Sequence, residues 1–453
     1  MNIIIAGDGK VGAALTRQLS GEGYDITVID TNLRVLESST ERYDVIAVQG
    51  NCASMETLLE AGVKDADLLI AATNADEVNL LCCTIAHGIN PKLHTIARIR
   101  NPEYDEQIFK MRDIFGLSMT INPERQAATE IERLLKFPGF LRRDVFAKGR
   151  TEIVELKIDK NSKLLGVKLM SLSNLIKCRV LICAVLREGK TVIPNSGEFT
   201  FLEGDRVFVT APTRNLTTLL KNLNIITRRV RSVLICGAGR VCYYLASSLI
   251  RSSIEVKIVE ERPDRCNEIK TLLPEADVIQ GDAGDLELLE SEGLKKYDAV
   301  VTLTGEDELN MIVSLYASNA GVPQVITKLG HAGTRNIIDT LNLGSVVCPK
   351  DLVVSNIVRY VRAMQNQTGA AISVHSIADG QVEAMEFIVD KNTHNCGVPL
   401  KNLKPKSNVL IGGITHGAWT EIPNGDSCFN RGDSVVVITR GGSTVRQLND
   451  AFE

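Results

Sequence analysis

Ile3-Ile4-Ile5-Ala6-Gly7-Asp8-Gly9-Lys10-Val11-Gly12 opens the chain, and Val233-Leu234-Ile235-Cys236-Gly237-Ala238-Gly239-Arg240-Val241-Cys242 restates it 230 residues later. Each stretch is an apolar run of strand length that enters a glycine-rich turn. Beyond the turn come a helix-like segment and a second apolar run that ends in an acid, Asp30 in the first copy and Glu260 in the second. A strand, a G-x-G-x-x-G turn, a helix and an acid at the end of the next strand make up a dinucleotide cradle. Gly7 permits the tight turn, Gly9 lets the backbone approach a pyrophosphate, and Gly12 permits close packing of helix on strand. Amides at the helix start, in the Lys10 and Val11 region, then meet the phosphate charge.

Asp30 stands 23 positions after Gly7, where a carboxylate accepts hydrogen bonds from the ribose hydroxyls. Its charge repels a 2′-phosphate, so NAD(H) or an adenine nucleotide such as ATP or ADP is favoured over NADP(H). The plainer reading of Asp30 is a solvated strand end. In the second copy Gly237, Gly239, Arg240 and Glu260 are expected to fill the same roles. Cys242 takes the place of the third glycine there, and its side chain is expected to push the helix outward and alter the second pocket.

Outward from these turns, apolar runs at Ile26–Ile29, Val45–Val48, Leu68–Ala72 and Thr95–Ala97 alternate with mixed segments of helical length. Strands buried on both faces with helices between them form a parallel, doubly wound sheet. Pro123 to Leu135 reads as a helix with proline in its first turn, stopping at Phe137-Pro138-Gly139. It is either a linker brace or a dimerisation element. From about residue 151 the texture changes to short alternating segments, with Arg187-Glu-Gly-Lys190 as a hairpin turn and Glu203-Gly204-Asp205 as a tight turn. This is a small α+β module.

The chain then begins again. Asp159-Lys-Asn161 returns as Asp390-Lys-Asn392, Gly166-Val as Gly397-Val, and Gly204-Asp as Gly432-Asp. A repeat running through both modules is a tandem duplication of a two-part unit. The expected fold class is α/β: two Rossmann-like doubly wound parallel sheets, each followed by a small α+β lobe. The expected divisions are 1–122, a connecting helix 123–139, a small lobe 140–224, a second Rossmann lobe 230–348, a second helix 349–366 and a second small lobe 370–453.

Composition narrows the function classes. A formal charge of −4 on 453 residues does not advertise nucleic acid or an anionic membrane surface as a partner. The longest apolar run, Val180–Leu186, falls far short of the roughly 20 residues that span a bilayer. The chain enters Ile3-Ile4-Ile5 with no basic, cleavable leader, so a cytoplasmic protein is expected. Eleven cysteines without a C-x-x-C pair, and six scattered histidines, point to buried reduced thiols and to no metal site.

Three further stretches carry a resemblance: Gln49-Gly50-Asn51-Cys52, Ala72-Thr73-Asn74-Ala75-Asp76-Glu77-Val78-Asn79, and Ala97-Arg98-Ile99-Arg100-Asn101-Pro102-Glu103-Tyr104. With the glycine turns, they resemble the RCK (KTN) nucleotide-binding domains that regulate potassium channels and transporters, and the small modules resemble that family's C-terminal lobes. The resemblance covers nearly the whole chain. It implies a nucleotide lying over Gly7, Gly9 and Gly12, with its ribose on Asp30, its adenine near Asn51 and Cys52, and its phosphates facing Thr73, Asn74 and Arg98. Asn51-Cys52 departs from the family's usual Asp-Ala or Asp-Thr, which the second copy keeps as Asp282-Ala283, and Lys328 stands near the place of the arginine motif.

The resemblance further implies a homotetramer docked on a Trk-type potassium channel membrane subunit at the inner face of the cell membrane, peripheral to the bilayer and not an enzyme. The competing readings are an NAD-dependent oxidoreductase, for which the sequence offers no catalytic half, and a regulator of a different monovalent-cation channel or exchanger.

Overall fold

The computed structural model describes residues 1–136, 140–194, 196–225, 229–330, 341, 343–364, 371–378, 381–407, 409–440, 445 and 447–453. Phe137-Pro138-Gly139, where the sequence ends the first connecting helix, lies outside the described residues. Two compact units are present: Met1–Ala128 with Cys348–Val358, and Thr129–Val347 with Arg359–Glu453.

The first unit holds β1 (Asn2–Ala6), α1 (Lys10–Gly21), β2 (Asp25–Asp30), α2 (Leu33–Arg42), β3 (Ile46–Gln49), α3 (Met55–Glu60), β4 (Leu68–Ala71), α4 (Asp76–Ile89), β5 (His94–Arg98), α5 (Pro102–Met111) and β6 (Met119–Ile121). The strands pair in the order β3-β2-β1-β4-β5-β6, all parallel. That is the doubly wound order, with its switch point between β1 and β4. Ile3, Ile4 and Ile5 are all buried because helices cover both faces of the sheet. On α1, Leu15 and Leu19 are fully buried one helical turn apart, each burial contributing about 1.5–3 kcal/mol.

Helix α6 (Pro123–Lys136) belongs to the first unit up to Ala128 and to the second from Thr129. In the second unit it is held by two bonds to the second Rossmann lobe: Ser248 Oγ donates to Glu132 Oε2 at 2.8 Å, and Gln324 Nε2 donates to the carbonyl of Leu134 at 2.8 Å.

The first small lobe comprises β7 (Arg142–Phe146), β8 (Thr151–Lys157), α7 (Leu172–Leu175), β9 (Leu181–Arg187), β10 (Lys190–Val192), β11 (Arg206–Pro212) and α8 (Thr213–Asn222). Its antiparallel sheet runs β10-β9-β11-β8-β7. The β9–β10 hairpin closes through Glu188 and Gly189, with φ of 50° and 73°, the two left-handed residues of a type I′ turn.

The second Rossmann lobe repeats the first. It comprises β12 (Ser232–Cys236), α9 (Arg240–Arg251), β13 (Glu255–Glu260), α10 (Pro263–Leu272), β14 (Asp277–Gln280), α11 (Leu286–Ser291), β15 (Ala299–Thr302), α12 (Asp307–Asn319), β16 (Gln324–Lys328) and β17 (Ser345–Val347). The order β14-β13-β12-β15-β16-β17 matches the first sheet strand for strand. After α13 (Pro349–Met364) come β18 (Ala371–Ile377), β19 (Val382–Ile388), β20 (Val409–His416), β21 (Trp419–Glu421) and β22 (Ser434–Arg440), in the order β18-β19-β22-β20-β21. This is the first small lobe's order again, and a register shift recurs in the equivalent strand pair, at Phe208/Val209 and at Ile411/Gly413.

The two small lobes share one core. Phe146, Ile153, Cys183, Ala184, Leu186 and Phe208 pack with Ile377, Val382, Ala384, Val436 and Ile438. Each sheet therefore buries one face on its own loops and helix and the other on its twin. Among the described residues no helix is long and apolar enough to cross a membrane.

Candidate functional site

In a doubly wound sheet the ligand crevice lies beyond the carboxyl ends of the strands at the switch point. The first lobe brings Gly7, Asp8, Gly9, Asp30, Asn51, Thr73, Asn74 and Arg98 to that edge, after or at the ends of β1, β2, β3, β4 and β5.

The turn is as tight as the sequence requires. Gly7 has φ +95°, and a Cβ there would lie 2.8 Å from the backbone nitrogen of Thr73. A Cβ on Gly12 would lie 1.9 Å from the carbonyl oxygen of Gly7, so no side chain fits. At Gly9 a Cβ would meet nothing within 4 Å, which leaves open space for an incoming group. The first bond within α1 runs from Ala13 N–H to the carbonyl of Gly9, so the amides of Lys10, Val11 and Gly12 precede it. Unlike α4, which carries Asp76 and Glu77 in its first turn, α1 has no acid there and no side-chain cap. The positive end of the helix is left for an external anion.

Asp30 braces the turn. Its Oδ2 accepts the N–H of Asp8 at 2.8 Å and its Oδ1 accepts the N–H of Asn32 at 2.9 Å. A carboxylate has about four acceptor positions, so roughly two remain for a ribose diol.

Asp8 turns inward. It is 2% exposed, and its carboxylate accepts from Ser39 Oγ at 2.5 Å and Thr16 Oγ1 at 3.5 Å. Burial above all, with the nearby charge of Asp30, pushes its carboxyl above the ordinary range against the pull of the Ser39 bond. Only the backbone of Asp8 faces the crevice edge. Val11 is buried in the core, and so is Cys52, which lies in the same apolar cluster as Cys82 and Cys83. The exposed member of the Asn51-Cys52 pair is Asn51.

The phosphate-side loop is fixed by Asn79, to which the sequence alone assigns no role. Asn79 is fully buried, and its Oδ1 accepts from Thr73 N–H at 2.9 Å and Thr73 Oγ1 at 2.7 Å. Its Nδ2 donates to the carbonyl of Arg98 at 2.8 Å, tying the loop after β4 to the end of β5. Asp76 Oδ2 then accepts the N–H groups of Arg100 and Asn101, both at 2.8 Å, and Arg100 reaches the carbonyl of Asn74. Thr73 and Asn79 recur as Thr304 and Asn310 after the fourth strand of the second copy, a repeat at an offset of 231 that marks the pair in the sequence.

The second lobe rebuilds this frame. Ala238 N–H donates to Glu260 Oε2 at 2.7 Å, Thr304 N–H donates to Asn310 Oδ1 at 2.9 Å, and Asn310 Nδ2 donates to the carbonyl of Lys328 at 3.1 Å. Helix α9 likewise has no side-chain cap and no acid in its first turn. The differences are at the edges. Cys242 is fully buried at the position where, in the first lobe, a Cβ on Gly12 would lie 1.9 Å from the carbonyl oxygen of Gly7, so the two turns cannot pack identically.

Arg262 Nε–H donates to Glu260 Oε1 at 2.9 Å, Arg265 Nε–H donates to the carbonyl of Ala238 at 2.6 Å, and Lys328 Nζ donates to the carbonyl of Thr304 at 2.6 Å. Burial works against the charge of Glu260, but the Ala238 amide and Arg262 prevail and hold its carboxyl below the ordinary range. Ala283 packs in the core, beside the more exposed Asp282.

The TrkA-N domain model matches residues 3–123 and 233–349, and the TrkA-C domain model matches residues 153–224. The chain is 30% identical to the Trk system potassium uptake protein TrkA of Halomonas elongata, over 100% of this chain and 99% of that one. It is 31% identical to the Trk system potassium uptake protein TrkA homolog of Archaeoglobus fulgidus, over 97% of each chain. Among solved structures, the GsuK RCK domain aligns with a TM-score of 0.59 at 16% identity, over 97% of this chain and 92% of that one. The GsuK channel bound to NAD aligns with a TM-score of 0.59 at 17% identity, over 97% and 76%. At such identity these two likenesses show a shared fold.

Proposed function

The chain belongs to the TrkA family, and from that premise we propose that it is the nucleotide-sensing regulatory subunit of a Trk-type potassium uptake system, with NAD(H) or an adenine nucleotide as its ligand. The single observation that carries the nucleotide reading is the first cradle. There an uncapped helix start, an open Gly9 and a carboxylate with spare acceptor positions converge on one crevice.

Gly7, Gly9 and the leading amides of α1 would hold the pyrophosphate, Asp30 the ribose diol, and Asn51 the adenine side. Thr73, Asn74 and Arg98 border the phosphates. The ligand supplies negative charge and shape, and the chain's own residues bind and orient it. The named relatives are potassium uptake proteins, which supports a regulator rather than an enzyme.

Binding acts on the pore by shifting a population between lobe arrangements, and it does so only as far as the ligand prefers one of them. A change from 1:99 to 99:1 needs about 5.5 kcal/mol of preference. Asn79 and Asp76 tie the phosphate loop to the segment after β5, and from there the chain leads through α5 and β6 into α6, a helix that both units share. We place the protein at the inner face of the cell membrane as a homotetramer on the pore subunit. In support, Leu81 and Ile312 hold the same position in α4 and α12 and are 51% and 56% exposed, an apolar residue presented outward in both copies.

Thermal unfolding with NAD, NADH, ATP and ADP tests the reading. A ligand at 100 times its Kd stabilises by about 2.7 kcal/mol, and the absence of a shift with all four ends it.

A further inference from the structure

The two cradles share a frame but differ in the side chain that meets the strand-end acid where the adenosine ribose would lie. Lys10, Asn32 and Val35 of the first lobe correspond, 230 residues on, to Arg240, Arg262 and Arg265 of the second. Arg34 of the first lobe becomes Asp264, so the change is not in net charge but in placement: Arg262 lies two residues after the acid that ends the second strand, where the first lobe has Asn32.

The hydrogen bonds to that acid differ accordingly. Asp30 accepts one backbone N–H on each oxygen, which leaves about two acceptor positions. Glu260 accepts Ala238 N–H on Oε2, and on Oε1 it accepts both the backbone N–H of Arg262 at 3.2 Å and its Nε–H at 2.9 Å. About one position remains, too few for both hydroxyls of a ribose. Its charge is also matched by the guanidinium, which removes the repulsion that a lone carboxylate directs at a ribose phosphate. The Arg262 side chain is 69% exposed, so it presents the rest of its planar fork to solvent at the mouth of the site. A fork of this kind takes a phosphate in two parallel hydrogen bonds.

We propose that the second cradle takes an adenine nucleotide whose ribose carries a 2′-phosphate, with Arg262 as the residue that reads the phosphate, while the first cradle takes the unphosphorylated ribose. This rests on the reading of both TrkA-N lobes as nucleotide cradles. Arg265 is held against the Ala238 carbonyl and paired with Glu268 at 2.5 Å, so its guanidinium is engaged within the lobe and the reading of a phosphate falls to Arg262. The chain would then sense two pools of nucleotide at once, one in each copy of the duplication.

Calorimetric titration of the intact protein with NADH, NADPH, AMP and adenosine 2′,5′-bisphosphate tests this with two point variants. Arg262→Ala is expected to weaken NADPH and the bisphosphate about tenfold or more and to leave NADH unchanged. Asp30→Ala is expected to weaken NADH by a similar factor and to leave NADPH unchanged. NADPH affinity indifferent to Arg262→Ala, or NADH and NADPH competing equally for a site that Asp30→Ala removes, overturns the proposal while leaving the nucleotide reading in place. Failure of every nucleotide to bind the unsubstituted protein overturns that reading itself.

Discussion

Arg262 holds Glu260 with its Nε 2.9 Å from Oε1, whereas Asn32, in the equivalent place of the first lobe, offers Asp30 only its backbone amide, also at 2.9 Å. One side chain thus changes the acceptor capacity of the acid that ends the second strand in each cradle. In the first lobe the acid keeps acceptor capacity and an unmatched charge, so the consequences of ligand binding are sharpest there.

Asp30→Ala removes the ribose acceptor. A hydrogen bond to a charged group contributes about 1.5–3 kcal/mol, so NADH affinity should fall by roughly one to two powers of ten. The same change frees the amides of Asp8 and Asn32 from their partner, so Asp30→Asn is the companion variant. Calorimetric titration of both variants measures the effect, and unchanged affinity in both would remove Asp30 from the site.

Asp8 should couple the turn to pH. Burial raises its carboxyl above the ordinary range, so the folded state keeps a proton that the unfolded chain has lost. The sign follows from linkage: stability from this group is full below the unfolded value of about 3.9 and is lost as pH rises through the higher folded value. Asp8→Asn keeps an acceptor for Ser39 and cannot ionise, so its denaturation midpoint should fall less than wild type between pH 4 and neutrality. A bound pyrophosphate would favour the protonated form further. Binding enthalpies in two buffers of different ionisation enthalpy should therefore reveal proton uptake in wild type and none in Asp8→Asn.

Arg143 and Glu152 form a buried bidentate pair, with Nε to Oε2 at 2.8 Å and Nη2 to Oε1 at 2.9 Å, and Arg143 Nη1 also caps the Arg133 carbonyl of α6 at 3.2 Å. Loss of one partner strands a buried charge. Arg143→Ala should cost about 3–5 kcal/mol, whereas joint replacement of both residues by apolar ones of like volume should cost far less. Urea denaturation of the single and double variants measures the difference, and equal losses would contradict the pairing.

Between the small lobes, Asp144 is held by Arg142 Nε at 2.9 Å and His375 Nδ1 at 3.0 Å. Burial opposes its charge, yet Arg142 and then His375 prevail and bring its carboxyl down to about 2. A depressed carboxyl contributes stability above its unfolded value of about 3.9, and that stability disappears as pH falls through about 2. The contribution is about 3 kcal/mol, and Asp144→Asn should abolish the part of the acid-unfolding profile that lies between pH 4 and pH 2.

The architecture was legible because its signals are local. Gly7, Gly9 and Gly12 lie within six residues, Ile3-Ile4-Ile5 declares a strand buried on both faces, and the duplication repeats each signal. The inward turn of Asp8 was not legible, because Ser39 reaches it from another helix 31 positions away. Nor did the fourth-strand repeat of a threonine and an asparagine announce that Asn79 would bind Arg98 across the sheet edge. Arg262 stood two residues after Glu260, in plain view. Its effect depends on a side chain folding back on its own strand end, which spacing alone does not specify. The shared core of the small lobes joins Phe146 and Phe208 to Ile438, and contacts at such separation have no local pattern.

The central claim is that nucleotide in the first cradle controls a potassium pore through this chain. The most direct measurement is potassium flux through a Trk-type membrane subunit reconstituted in vesicles, with the chain and NADH, NAD, ATP or ADP added in turn. At least one nucleotide should change the flux when the chain is present, and Asp30→Ala should shift that response to about tenfold or higher nucleotide concentration. Flux that ignores the chain, or a nucleotide response identical in Asp30→Ala, would contradict the account.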